Sequence, residues 1–117
     1  MYGFPSDLNL DDIIGMQIEQ ICLGRFDVQF RFGAERTICS QALVEVFRDD
    51  ALISAWGPES IWSNSSFQML LEPVIEAYAV VHERLLEIRL KGGLELHLHD
   101  SSMQFESVKI YPEMIIV

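Results

Sequence analysis

His97 and His99, followed by Asp100, form the grouping in this sequence with the character of a metal site. Residues two apart on a strand point to the same side, so two imidazoles could share one ion of the zinc class. The surrounding pattern argues against it. Leu94, Leu96 and Leu98 take the opposite side, which leaves the histidines on a solvated sheet face. A three-residue turn at Lys91-Gly92-Gly93 then sets Glu87 beside His97 and Arg89 beside Glu95. The local register fixes no third ligand, and the guanidinium repels a cation, so no metal and no other cofactor is expected. His82, before a turn, reads as exposed.

Nucleophile chemistry has less support still. Cys22 is out of phase with Ile21 and Leu23 and has no flanking base to lower its pKa, so it reads as filler, and both cysteines, Cys22 and Cys39, read as reduced thiols. Ser40, Ser54, Ser65 and Ser66 lack the glycine-flanked elbow of a hydrolase serine. There is no glycine loop for phosphate and no interleaving of bases with aromatics for RNA. Carboxylates abound, but none is visibly paired in a buried position. The chain reads as a binding protein rather than an enzyme.

What it could bind is indicated by charge. Eight bases against 18 acids give a net charge of −10, which disfavours nucleic acid as partner and favours a basic protein. Six of the bases, Arg25, Arg31, Arg36, Arg84, Arg89 and Lys91, fall in two hairpin regions, while the stretch from Asp49 to Glu83 has none. Within that stretch, Trp56, Ile61 and Trp62 sit in a polar, turn-rich segment, where large aromatics must anchor either to the body or to a partner. Asp49, Asp50, Trp56, Glu59 and Trp62 are therefore the candidate partner-binding residues, with one tryptophan as readily a plug for the end of a sheet.

The elements that must position these residues read as a duplication. Asn9 to Gly15 has a capping residue, two early acids and an apolar set at Leu10, Ile13 and Ile14, the grammar of a short helix. Ser65 to Pro73 repeats it with Phe67, Leu70 and Leu71 at an offset of 57 residues. Each helix precedes a hairpin. In the first, Ile21 and Leu23 face Val28 and Phe26 across a two-residue turn at Gly24-Arg25; in the second, Leu86, Ile88 and Leu90 face Leu98, Leu96 and Leu94. Third strands are expected near Thr37–Phe47 and Gln104–Tyr111. The expected architecture is a single α+β domain over 1–117: helix-strand-strand-strand repeats at 8–47 and 65–111, a linker at 48–64, and about six antiparallel strands in a curled sheet or two layers with two short helices. No apolar run approaches the ~20 residues of a membrane span, and the first residues lack the basic start and apolar stretch of a signal peptide, so a cytoplasmic protein is expected.

A resemblance rests on several short motifs: Ile14-Gly15-Met16-Gln17-Ile18 leading into Ile21-Cys22-Leu23-Gly24, the Val28-Gln29-Phe30 strand, Gly57-Pro58-Glu59, Leu70-Leu71, Leu94-Glu95-Leu96 and Phe105-Glu106-Ser107. Together, over about residues 8–111, they resemble a family of small uncharacterised bacterial domains, although Val108 stands where that family continues into a tryptophan. The chain is also similar to the acidic immunity proteins encoded beside bacterial toxins. That resemblance implies an inhibitor that occludes a basic, nuclease-like toxin. The alternative is a small-molecule-binding or regulatory domain using a cavity between the repeats.

Overall fold

A computed structural model describes residues 3–33, 35–57, 66–100 and 108–117. They form ten strands: β1 (Gln20–Leu23), β2 (Val28–Arg31), β3 (Thr37–Ser40), β4 (Val44–Arg48), β5 (Ala51–Trp56), β6 (Ile75–His82), β7 (Leu85–Leu90), β8 (Leu94–His99), β9 (Val108–Tyr111) and β10 (Ile115–Ile116). These make two antiparallel five-stranded sheets, in the orders β1-β2-β3-β9-β10 and β5-β4-β8-β7-β6. The inward residues of both sheets, among them Val28, Phe30, Ile38 and Ile110 from the first and Val46, Leu86, Ile88 and Leu96 from the second, pack into one apolar cluster. Each such side chain removed from water contributes roughly 1.5–3 kcal/mol.

The fold is nearly all β, which corrects the α+β expectation. The segment after Asn9 is a single 3₁₀ turn, Asp11–Ile13, and the second expected helix is a 3₁₀ segment, Ser66–Leu71. The physical reason is length. Between its capping residue and its stop, Asn9 to Gly15 and Ser65 to Pro73, each segment has room for only one or two turns, too few for helix propagation to offset nucleation. Asn9 does accept a hydrogen bond from the Asp11 amide at 2.9 Å, but the turn is held chiefly from outside. The Tyr78 hydroxyl accepts from the Leu10 amide at 2.9 Å and donates to Asp11 Oδ1 at 2.7 Å. The expected capping serine, Ser65, lies outside the described residues, as do 104–107 of the expected last strand.

Strand number and boundaries also differ from expectation. The stretch Thr37–Phe47 is not one strand, because the chain leaves the first sheet after Ser40 and enters the second at Val44. Ser40 Oγ shapes the crossing by accepting from the Ala42 amide at 3.2 Å and donating to the Ala42 carbonyl at 3.1 Å. The segment expected as a linker contains β5, paired along its length with β4. In the first hairpin Leu23 faces Val28 rather than Phe26, so the turn has four residues and Phe26 stands exposed under the Arg25 guanidinium.

Both halves trace the same path with an exchange at the end. β1-β2-β3 and β6-β7-β8 are consecutive antiparallel runs in different sheets, and each half then sends its last two strands to the other half's sheet, where β9 joins β3 and β4 joins β8. The halves touch through an antiparallel bridge between Gln17 and Val74, positions 57 apart, flanked by hydrogen bonds from the Gly15 amide to the Ile75 carbonyl and from the Ile75 amide to the Met16 carbonyl, both 2.8 Å.

Candidate functional site

The outer face of the second sheet brings two of the three histidines together with three carboxylates. β8 lies between β7 and β4, and this register sets Glu87, His97 and Glu45 in one row across three strands, with Arg89 opposite Glu95. Alternation along β8 turns Leu94, Leu96 and Leu98 inward, so His97 and His99 must share the outer side. The β7–β8 register and the side taken by the histidines are as the sequence implied.

Glu45 is the residue the sequence reading missed. His99 Nε2 lies 2.6 Å from Glu45 Oε1, and His97 Nε2 lies 2.9 Å from Glu95 Oε1 and 3.5 Å from Glu87 Oε2. The Phe47 ring covers His97, with centroids 4.5 Å apart. Arg89 Nε donates to Glu87 Oε1 at 2.6 Å, so the guanidinium is already paired with a carboxylate. The side chains of Glu45, Glu87, Glu95, His97 and His99 are only 13–26% exposed, shielded by one another and, at His97, by Phe47. Two groups of possible ligands share this face: Glu45, His97 and His99, and Glu87, Glu95 and His97, each with its donor atoms within 4.8 Å of one another. Glu45 could have been placed on the outer side from its position between Val44 and Val46. Its pairing with a strand some fifty residues on has no local signal.

Asp100 does not join the histidines. Its side chain points inward, fully buried, with Oδ2 accepting from Arg84 Nη1 at 3.1 Å. His82 is exposed at the β6–β7 turn, where its Nδ1 accepts from the Arg84 amide.

Of the residues expected to bind a partner, the three that are described do not share one surface. Asp49 and Asp50 form the β4–β5 turn, both exposed and both left-handed, with φ of +50° and +70°. This matches a type I′ hairpin turn, whose first central position ordinarily goes to Asn, Asp or Gly and whose second goes to Gly. The Asp49 amide donates to the Gly93 carbonyl at 3.0 Å, joining this turn to the β7–β8 loop. Trp56 is inside, 2% exposed and opposite Val44, so it is the tryptophan that plugs the sheet. Glu59 and Trp62 lie outside the described residues. Leu52, at the start of β5 and beside the acidic turn, is a large exposed apolar residue.

The first sheet has its own outer recess, about 430 Å³, lined by Asp27, Gln29, Thr37, Cys39, Gln41, Lys109 and Tyr111. Cys39 Sγ lies 3.3 Å from Asp27 Oδ2, and burial together with this carboxylate pushes its thiol up to about 12. It is an inert thiol at neutral pH. Between the sheets the space is occupied by the apolar cluster. No helix among the described residues is long and apolar enough to cross a membrane. No protein-family model, no curated protein and no solved structure matches this chain.

Proposed function

We propose that this chain is an acidic protein-binding inhibitor, an immunity protein that neutralises a basic, nuclease-like toxin in the cytoplasm by covering its active site, and that it performs no catalysis itself. The observation that carries the reading is the Asp49–Asp50 turn. Two adjacent like charges stand at left-handed positions, the second of which, Asp50, glycine would fill at lower cost, and they are exposed beside the exposed Leu52 on the edge strand β5. Folding alone does not favour that choice; attraction of a basic surface does. The net charge of −10 extends the same field over the molecule and steers a cationic partner. In this reading Leu52 takes the anchoring role that the sequence suggested for Trp56.

The test is capture of the partner from the source cell, followed by kinetics with the purified partner. Asp49→Lys/Asp50→Lys is expected to slow association at least tenfold at low salt, with the difference shrinking as the Debye length falls to about 8 Å at physiological ionic strength. Leu52→Ala is expected to act on dissociation instead. Unchanged association for the doubly reversed variant would place the interface elsewhere and remove the support for this reading.

A further inference from the structure

We infer that the outer face of the second sheet is a binding site for a divalent transition-metal ion of the zinc class, with Glu45, His97 and His99 as ligands. The inference stands independently of the proposed partner. Both objections raised by the sequence are removed by the fold. The missing third ligand is Glu45, delivered by β4 through its pairing with β8, and the repelling Arg89 is bound to Glu87.

The geometry favours an ion in three ways. The ligand atoms of Glu45, His97 and His99 lie within 4.8 Å of one another, and tetrahedral zinc, with bonds of 2.0–2.1 Å, needs them at about 3.3 Å, a gap that small side-chain rotations close. All three ligands stand on central strands of a five-stranded sheet, so their backbone positions are fixed before the ion arrives. Glu87 and Glu95 contact His97 at Nε2 and form with it a second group of donor atoms within 4.8 Å of one another, so further carboxylate oxygens stand beside the same ring.

Charge points the same way. Glu45, Glu87 and Glu95 gather three carboxylates against one guanidinium on a face where each is about four-fifths or more covered. A divalent cation offsets the excess negative charge. Two imidazoles and one carboxylate select zinc, cobalt, nickel or copper over calcium and magnesium, which require mostly oxygen. Three protein ligands leave a further coordination position open toward solvent, for water or an anionic group.

The experiment uses the full chain without an affinity tag, stripped with chelator and titrated with zinc chloride by calorimetry, and separately with cobalt chloride by visible absorption. One ion per chain is expected, with cobalt giving the intense visible bands of a low-coordinate site. His97→Ala, His99→Ala and Glu45→Gln are each expected to weaken zinc binding at least about tenfold, and the two histidine changes together to abolish it. His82→Ala and Cys39→Ala are expected to leave it unchanged. Thermal unfolding of each variant without metal shows that the sheet persists, and these outward changes should shift it little. No saturable binding by the unaltered chain, or full binding by the doubly substituted one, would overturn the inference.

Discussion

The outer faces of the two sheets occupy equivalent positions of the repeated path, yet their chemistry diverges. At an offset of 58, Gln29, Arg31, Thr37, Cys39 and Gln41 on the first correspond to Glu87, Arg89, Glu95, His97 and His99 on the second. The visiting strand contributes Lys109 opposite Cys39 in one sheet and Glu45 opposite His97 in the other. Only the arginine is retained. The first face is a polar recess with an inert thiol, a lysine and a single carboxylate, Asp27; the second collects imidazoles and carboxylates. The same register that holds Lys109 against a thiol holds Glu45 against a histidine. A backbone of this kind fixes which residues meet, and a few outward substitutions, which leave the core untouched, decide what the meeting can do.

The largest effect that could break this contrast is a transfer of chemistry from one face to the other. Glu45→Lys/His97→Cys/His99→Gln gives the second face the residues of the first, and it is expected to lose zinc binding by a factor of 100 or more while unfolding within a few degrees of the parent, because all three positions point away from the core. Calorimetry and a melting curve on the same sample check both halves of the statement.

Next is thiol reactivity. With Cys39 pushed up to about 12, its alkylation by iodoacetamide at pH 8 is expected to be at least about 100-fold slower than that of an unperturbed cysteine. Asp27→Asn removes the carboxylate that opposes the thiolate and should accelerate the reaction, leaving burial, the larger cause, in place. Peptide mapping of the labelled protein resolves Cys39 from Cys22. Rapid labelling of Cys39 would show that the first face is more open than its geometry indicates.

A third test compares Arg36 with its counterpart Leu94, both largely buried. Arg36 donates to both oxygens of Asp12, at 2.9 and 2.8 Å, to Glu113 and to the Tyr111 carbonyl, tying the first 3₁₀ turn to the β9–β10 turn. Breaking a fully buried pair costs about 3–5 kcal/mol, but these carboxylates are about half exposed and can rehydrate, so Arg36→Met is expected to cost about 2 kcal/mol in chemical denaturation. Arg36 holds the Asp12 and Glu113 carboxyls below their usual range. Folded values below the unfolded ones mean that their contribution is complete above about pH 5 and is lost as pH falls through the lowered values. The parent should therefore lose stability below about pH 4 more steeply than Arg36→Met.

The smallest expected effect lies at the hairpin tips. Glu113, in the turn of the second half, is engaged by Arg36, whereas Asp49 and Asp50 occupy the corresponding turn of the first half, exposed. Asp49→Asn/Asp50→Gly supplies the residues that a left-handed pair prefers and is expected to stabilise the fold by about 0.5–1 kcal/mol while slowing association with the partner. A loss of stability would show that the carboxylates serve the fold.

Legibility in the sequence followed the range of the interactions. The β7–β8 hairpin was readable to the residue, because its alternation is unbroken and Gly92 and Gly93 supply the left-handed φ of its loop. That also placed His97 and His99 on the correct side. The first hairpin slipped by one pair because Phe26 continues the alternation of Val28 and Phe30, although its ring lies in solvent. Capping signals marked the 3₁₀ segments without revealing that they stop short of α-helices. The crossing between sheets was invisible, since Ile38, Ser40, Ala42, Val44 and Val46 are all buried at the same parity, as in a single strand. The pairings β3–β9 and β4–β8 join residues far apart in sequence, and no local pattern encodes them. Glu45 was missed as a neighbour of the histidines for that reason alone.

The reciprocal exchange of terminal strands has a consequence for how the molecule could be taken apart. Each sheet is three strands of one half completed by two strands of the other, so neither half holds a whole sheet by itself. Severing the peptide between residues 57 and 66 would leave two fragments clasped through both sheets and their one shared core, each supplying what the other lacks. They should separate only under conditions that unfold the protein and should recombine on mixing. One half made alone has an evident substitute for its missing counterpart, a second copy of itself, and would close with it as a two-fold pair. The single chain has the form of such a pair joined end to end, and one covalent link is enough to let its two outer faces carry different residues.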